Sequence, residues 1–350
     1  MRSLIFEGVG HVAVATVPDP TVLAPTDAVV AVRAAAICGS DLHVYHGHET
    51  GLDPGTVLGH EFAGEVVAVG AAVQRFRLGD SVVSPFSTRC GECHFCRIDL
   101  PARCQRGQLF GWVAQGEGLH GAQAEYVRVP FADATLVATS YEGTPIASEI
   151  ALLTGDVLST GFFGASMAGA TAGSSIAIVG CGPVGLMAVI GARELGAERV
   201  FAIDSLPERL ALAARFGAEP IPLDEHTVER VRAATAGLGA QGVVEAVGSP
   251  AAMRLAYELV RTGGTLAAVG VHNEPTFALS PAEAYDKNLT YRTGRCSARA
   301  WMERLLPLAA SERYDLAALY SHRFALVEGP SGYDLFDRRV ENCTKVALLP

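Results

Sequence analysis

Over the first 140 or so residues the apolar positions fall in short runs, not at helical spacing. Runs such as Ala28–Ala35 and Gly64–Val69 are cut by Gly, Pro and Asp, the punctuation of β-structure. From about residue 174 the pattern changes. Ser175–Val179 is a short apolar run closed by glycines, and a helical periodicity follows from Val184 to Leu195. Val200–Ile203 predicts the next strand. Pro207–Phe216 predicts a helix opened by proline in its first turn. Gly242–Val247, Thr265–Val271 and Leu289–Tyr291 predict further strands, with a helix over Ala251–Val260 between the first two. Strands alternating with helices predict an α/β domain whose parallel sheet is covered on both faces. A last helix is predicted over Ala298–Ala310, followed by a mixed tail.

Composition sets limits on this picture. The chain has 350 residues, enough for two buried cores at about 150 residues per domain. The formal net charge is -10, which argues against a nucleic-acid partner because a phosphate backbone selects basic surfaces. The cations are nearly all arginine; the lysines are Lys287 and Lys345. No leader peptide and no charge-free apolar stretch of about 18 residues is visible, so no membrane partner is expected. Of eight cysteines, four crowd into residues 90–104 and the rest are scattered. That spacing suits a metal in a reducing compartment better than a disulfide framework, which predicts a cytoplasmic protein.

The strongest local signal in the second half is Gly180-Cys181-Gly182-Pro183-Val184-Gly185, a G-x-G-x-x-G pattern after a predicted strand and at the start of a predicted helix. The glycines permit a tight turn and close approach of a pyrophosphate to backbone, and the helix N-terminus offers N–H groups and positive dipole. Asp204 lies 24 residues after Gly180, at the end of the second predicted strand. A carboxylate there hydrogen-bonds ribose hydroxyls and repels a 2′-phosphate, which favours NAD. Arg209, close by in sequence, keeps NADP as the alternative.

Cys90, Cys93, Cys96 and Cys104 form C-x2-C-x2-C-x7-C. Short C-x-x-C loops deliver thiolates in pairs, and four thiolates fill a tetrahedral zinc shell with no open position, so this lobe (about 88–106) is predicted to be structural. Disulfides and an iron–sulfur cluster are the rivals by residue type.

Earlier in the chain stand Cys38-Gly39-Ser40-Asp41-Leu42-His43 and Gly59-His60-Glu61-Phe62-Ala63-Gly64-Glu65, and Asp156 falls just before the α/β region. Read singly, Cys38 could be a core thiol, His60 a satisfied core histidine and Asp156 a helix cap. Together, in this order with the cysteine lobe and the glycine turn, they resemble the zinc-dependent medium-chain dehydrogenases, which include alcohol, sorbitol and threonine dehydrogenases. The resemblance runs through to Lys345-Val346-Ala347-Leu348-Leu349 near the C-terminus.

The resemblance implies a GroES-like, partly open β-barrel catalytic domain from residues 1–153 and 297–350, and an inserted Rossmann domain from 154–296. It implies that Cys38, His60 and Asp156 hold a catalytic zinc, so that each chain carries two zinc ions. A carboxylate as third ligand matches the sorbitol-type and bacterial secondary-alcohol branch. Glu61 would lie behind that metal and could enter its coordination. Asp41 would orient His60, and Lys345 would neutralise Glu61. Ser40 and His43 would relay the proton released by the substrate. Trp112, after the lobe, is a candidate wall of the substrate pocket, with core packing as its other reading. Gly180, Gly182, Pro183, Val184, Gly185, Asp204 and Arg209 would bind the dinucleotide. The expected reaction is hydride transfer between NAD and a primary, secondary or polyhydroxy alcohol, in a homo-oligomer with a tetramer favoured over a dimer. The alternatives are a non-enzymatic zinc and nucleotide sensor, and an epimerase or lyase using NAD transiently.

Overall fold

The computed structural model describes residues 1–340 and 342–350, and these form two compact units. One contains Met1–Asp156 with Ser297–Pro350; the other is Val157–Cys296. The first unit therefore reaches three residues beyond the boundary expected at 153, because the chain breaks direction at Asp156, between two helices.

The N-terminal part of the first unit opens with an antiparallel hairpin of β1 (Arg2–Gly8) and β2 (His11–Thr16). β3 (Ala28–Ile37) follows, then α1 (Asp41–Tyr45), β4 (Phe62–Val69) and β5 (Ser81–Val83). The cysteine lobe contains α2 (His94–Arg97). Beyond it come the hairpin β6 (Trp112–Ala114) and β7 (Glu117–Leu119), then β8 (Tyr126–Val129), α3 (Ala132–Thr135) and β9 (Val137–Ala138). A small hairpin of β10 (Ser140–Tyr141) and β11 (Thr144–Pro145) leads to α4 (Ser148–Gly155).

The second unit begins with α5 (Val157–Met167) and then alternates. β12 (Ser175–Val179), α6 (Pro183–Glu194), β13 (Arg199–Asp204), α7 (Pro207–Arg215), β14 (Glu219–Pro222) and α8 (Thr227–Ala233) form its first half. β15 (Ala240–Glu245), α9 (Pro250–Leu259), β16 (Val260–Ala268), α10 (Pro281–Asp286) and β17 (Thr290–Thr293) form its second. The strands pair in parallel in the order β14-β13-β12-β15-β16-β17. This is a doubly wound Rossmann sheet, and the strand order reverses between β12 and β15. Its interior is apolar on both faces, with Ala177, Phe201, Ile203, Val243 and Leu266 all buried. Proline opens α6, α7, α9 and α10, where a missing N–H costs nothing.

The chain then returns to the first unit through α11 (Ala298–Ala310), β18 (His322–Ala325), α12 (Gly329–Arg338) and β19 (Val346–Leu349). The main sheet of that unit runs β18-β19-β3-β4-β5-β9, with β8 also paired to β3. β3 pairs antiparallel with β4, β8 and β19 and is buried along nearly its whole length. Among the described residues no single helix is long and apolar enough to cross a membrane.

Three elements escape the sequence pattern. β14 reads Glu-Pro-Ile-Pro, which looks like a breaker, yet it lies at the sheet edge and pairs only with β13, where proline is tolerated. α4 and α5 are buried over most of their surface, so they show no amphipathic period. β16 also starts earlier than expected, at Val260, and ends at Ala268 instead of Val271.

Candidate functional site

Cys38 follows β3 directly, and His60 precedes β4. The two strands pair antiparallel with Ala35 opposite Phe62, and Ala36 N–H donates to Glu61 O at 3.3 Å, so the register carries Cys38 and His60 to the same sheet end. Asp156 arrives from the end of α4, where its backbone leaves helical geometry at φ -145 and ψ -84. Gly155 allows this approach: a Cβ on it would lie 2.2 Å from Ser84 O.

The result is a buried mixed-donor cluster. Asp156 Oδ2 lies 3.5 Å from Cys38 Sγ and 3.2 Å from His60 Nε2. One donor atom from each of Cys38, His60, Glu61 and Asp156 lies within 4.8 Å of all the others. Asp41 faces the other ring nitrogen, Oδ1 to His60 Nδ1 at 3.2 Å, and its Oδ2 accepts from Cys38 N–H at 3.0 Å. That arrangement fixes the ring and turns Nε2 toward the cluster. Ser40 Oγ lies 3.4 Å from His60 Nε2. His43 is part-buried on α1, with its ring 6.1 Å from that of His48.

Charge in this cluster is unbalanced. Burial opposes protonating His60, but Asp41 and Asp156 outweigh it and raise the imidazole well above its usual range. Burial, together with Asp156 and Glu61, raises the Cys38 thiol. Burial pushes Glu61 up to about 7, against the pull of Lys345. Lys345 Nζ donates to Glu61 Oε2 at 2.6 Å, and both side chains are fully buried. Glu61 Oε1 is buried with no hydrogen-bond partner. Sulfur, imidazole nitrogen and carboxylate oxygen, converging with one orphaned carboxylate oxygen beside them, fit a divalent zinc-like cation.

The second cluster lies in the lobe around α2. Cys93 Sγ is 3.5 Å from Cys96 Sγ and 3.8 Å from Cys104 Sγ, and Cys90 Sγ is 4.0 Å from Cys96 Sγ. All four are free thiols at distances well beyond an S–S bond of about 2.05 Å. Burial works against the Cys90 thiolate, but backbone N–H groups of Glu92 and Cys93 and the Arg106 guanidinium hold its pKa down at about 6. Burial pushes Cys96 up to about 12. Four sulfurs at this spacing match a closed tetrahedral shell.

The glycine turn sits in the second unit between β12 and α6. Gly180 has φ +90, and a Cβ on Gly185 would lie 1.8 Å from Gly180 O, so the helix packs on the turn as only glycine allows. Gly182 is the N-cap of α6 without a side-chain cap, and Pro183 and Val184 begin the helix. Asp204 ends β13. Its Oδ2 accepts from Cys181 N–H at 2.7 Å and its Oδ1 from Leu206 N–H at 2.9 Å, so the carboxylate also braces the glycine turn. Arg209 Nη1 stands 4.0 Å from Asp204 Oδ2.

Trp112 lies on β6, half-buried, and packs against the hydrophobic core of the first unit. Sequence reasoning did not reveal the layer beneath Asp41: Gln123 Nε2 donates to Asp41 Oδ2 at 3.3 Å and to Ala36 O at 3.2 Å, and Tyr333 O–H donates to Gln123 Oε1 at 2.8 Å. Nor did it reveal the buried Glu245 with His272, Oε2 to Nε2 at 2.8 Å.

Comparison with known proteins agrees with this geometry. Residues 24–139 match the family described as alcohol dehydrogenase GroES-like domain, and residues 183–311 match the family described as zinc-binding dehydrogenase. The chain is 40% identical over 346 residues to zinc-type alcohol dehydrogenase B of Aspergillus flavus, covering 96% of this chain and 79% of that protein. It is 32% identical over 371 residues to an alcohol dehydrogenase of Cupriavidus necator, covering 100% and 99%. Among solved structures it resembles alcohol dehydrogenase TADH from Thermus sp. ATN1, with a TM-score of 0.92 and 44% identity, covering 100% and 99% of the two chains.

Proposed function

This chain belongs to the zinc-dependent medium-chain dehydrogenases and is an oxidoreductase acting on alcohols, and on that premise we propose that Cys38, His60 and Asp156 hold its catalytic zinc. The observation that carries this reading is the buried convergence of Cys38, His60, Glu61 and Asp156 donor atoms within 4.8 Å. Bound there, zinc would supply Lewis acidity toward a substrate oxygen, and a nicotinamide cofactor would supply the two-electron carrier.

The chain's own residues do the rest. Asp41 holds His60 by Nδ1 so that Nε2 faces the cluster. Ser40, at 3.4 Å from His60 Nε2, accepts the proton leaving an alcohol hydroxyl and passes it toward His43, which carries it out. Glu61 is the reserve oxygen donor: its Oε2 is tied to Lys345 while its Oε1 has no partner. The Cys90, Cys93, Cys96 and Cys104 lobe would hold a second, structural zinc, making two ions per chain, and its free thiols support a reducing, cytoplasmic setting.

The backbone of Gly180, Gly182, Pro183, Val184 and Gly185 takes the pyrophosphate. Asp204 takes the adenosine ribose and disfavours a 2′-phosphate, so NAD is preferred over NADP, with Arg209 beside it. The resemblance carries a homo-oligomer, tetramer before dimer. Primary, secondary and polyhydroxy alcohols are the substrate classes to compare.

The test is steady-state oxidation across those three classes with NAD and NADP, in wild type, Ser40→Ala and Asp204→Ala. NAD-dependent turnover is expected, with a fall in kcat of about 100-fold or more in Ser40→Ala and a relative gain for NADP in Asp204→Ala. Unchanged kcat in Ser40→Ala removes the relay. NADP preference in the wild type removes the role given to Asp204.

A further inference from the structure

At the C-terminal ends of β15 and β16 two turns of the second unit are pressed together. Gly248 has φ +80, and a Cβ on it would lie 2.3 Å from Val271 O; a Cβ on Gly270 would lie 2.2 Å from Gly248 N. Neither turn could accept a side chain at its contact point. One buried side chain ties the two together. Glu245, the last residue of β15, is fully buried. Its Oε1 accepts from Val247 N–H at 2.8 Å and Gly248 N–H at 2.7 Å. Its Oε2 faces His272 Nε2 at 2.8 Å, while His272 Nδ1 faces Glu274 Oε2 at 3.3 Å. The Glu245 carbonyl also accepts from Val269 and Gly270 N–H at 2.9 and 3.1 Å. One residue therefore sets both turns, and His272 completes its hydrogen bonding.

These turns lie beside the glycine turn. Ala246 N–H donates to Val179 O at 3.0 Å, and Val247 Cγ2 would stand 2.4 Å from a Cβ on Gly180. In an open α/β sheet a dinucleotide lies across the carboxyl ends of the strands at the point where strand order reverses. With Asp204 on β13 taking the adenosine side, the nicotinamide side must extend over β15 and β16, where Glu245 holds the backbone.

We propose that Glu245 and His272 are positioning residues for the nicotinamide half of the cofactor: they fix the Val247–Gly248 and Gly270–Val271 backbone against which that half lies. The proposal rests on the nicotinamide reading above. A carboxylate that is buried and fully hydrogen-bonded holds its donors in one place, and losing a partner of a charged group loosens it. His272 is the safer residue to change, since its side chain is 24% exposed.

The experiment is calorimetric binding of NADH and of ADP-ribose, which lacks the nicotinamide, to wild type, His272→Ala and His272→Gln. Wild type is expected to bind both. In His272→Ala the NADH Kd should rise about tenfold or more, the loss of one hydrogen bond to a charged group, while the ADP-ribose Kd stays within about twofold. His272→Gln, whose amide can still donate to Glu245, should recover most of the NADH affinity. Equal weakening of both ligands, or no change in either, overturns the proposal and leaves the cofactor reading intact. Failure of the wild type to bind either ligand overturns the cofactor reading as well. Glu245→Ala serves as the stronger variant, and there too only selective loss of NADH over ADP-ribose supports positioning.

Discussion

Lys345 shows how much a single residue does in this molecule. It is one of two lysines in the chain, it is fully buried, and its Nζ meets Glu61 Oε2 at 2.6 Å. Burial favours neutral lysine, yet Glu61 and Cys38 outweigh it and raise the pKa of the ammonium. Breaking a buried pair by removing one partner leaves an uncompensated charge and costs roughly 3–5 kcal/mol. Lys345→Met should therefore lower the denaturant midpoint by that equivalent, whereas Lys345→Met with Glu61→Gln should recover much of the loss. A double variant as unstable as the single one would mean that Lys345 acts by packing alone. Lys345 could be picked out from sequence because it stands in a resembled ending. Gln123 and Tyr333 could not. They are 210 residues apart, and nothing in their local pattern announces a buried hydrogen bond. Trp112 was ambiguous for a related reason: an aromatic residue after a metal lobe reads equally as pocket wall or core, and in the fold it packs on the core.

Among the elements, legibility followed periodicity and punctuation. The glycine turn was readable because each glycine answers a distinct steric demand. Gly185→Ala should abolish nucleotide binding, measured with NADH or ADP-ribose, since its Cβ would lie 1.8 Å from Gly180 O. Retained affinity would show that α6 can move off the turn. Helix α10 is opened by a capping box in which Ser280 and Glu283 exchange hydrogen bonds. The Ser280 N–H, with help from Arg254, holds the Glu283 carboxyl at about 2, below its ordinary 4.5. A depressed carboxyl contributes stability that is present above pH 4.5 and is lost as pH falls toward 2. The thermal midpoint of wild type should exceed that of Glu283→Gln near neutrality, and the gap should close over that acid window. A gap that persists at the acid end would assign the difference to something other than this carboxylate. β14 and the α4–α5 pair were illegible on physical grounds: two prolines hid an edge strand, and burial on all sides erased the helical period.

For the whole molecule, the two residue clusters proposed as metal sites offer different donor sets. The lobe offers four sulfurs and no open position; the other cluster offers sulfur, nitrogen and carboxylate oxygen with Glu61 behind. Chelation of the lobe metal should lower the thermal midpoint, because binding energy at a closed site is folding energy. Removing the other should abolish turnover with little change in midpoint. The order of motifs along the chain picks out the residues of both clusters, whereas their depth, their hydrogen-bonded support and the bracing of the glycine turn by Asp204 show only in three dimensions. The most direct test is zinc content per chain, with NAD-dependent alcohol oxidation measured on the same samples, in wild type, Cys38→Ala and Asp156→Ala. Two zinc ions are expected in the wild type and one in either variant, with activity lost along with the second ion. One zinc ion in all three proteins would contradict it, leaving the cysteine lobe as the metal site and Cys38, His60 and Asp156 without the role given to them.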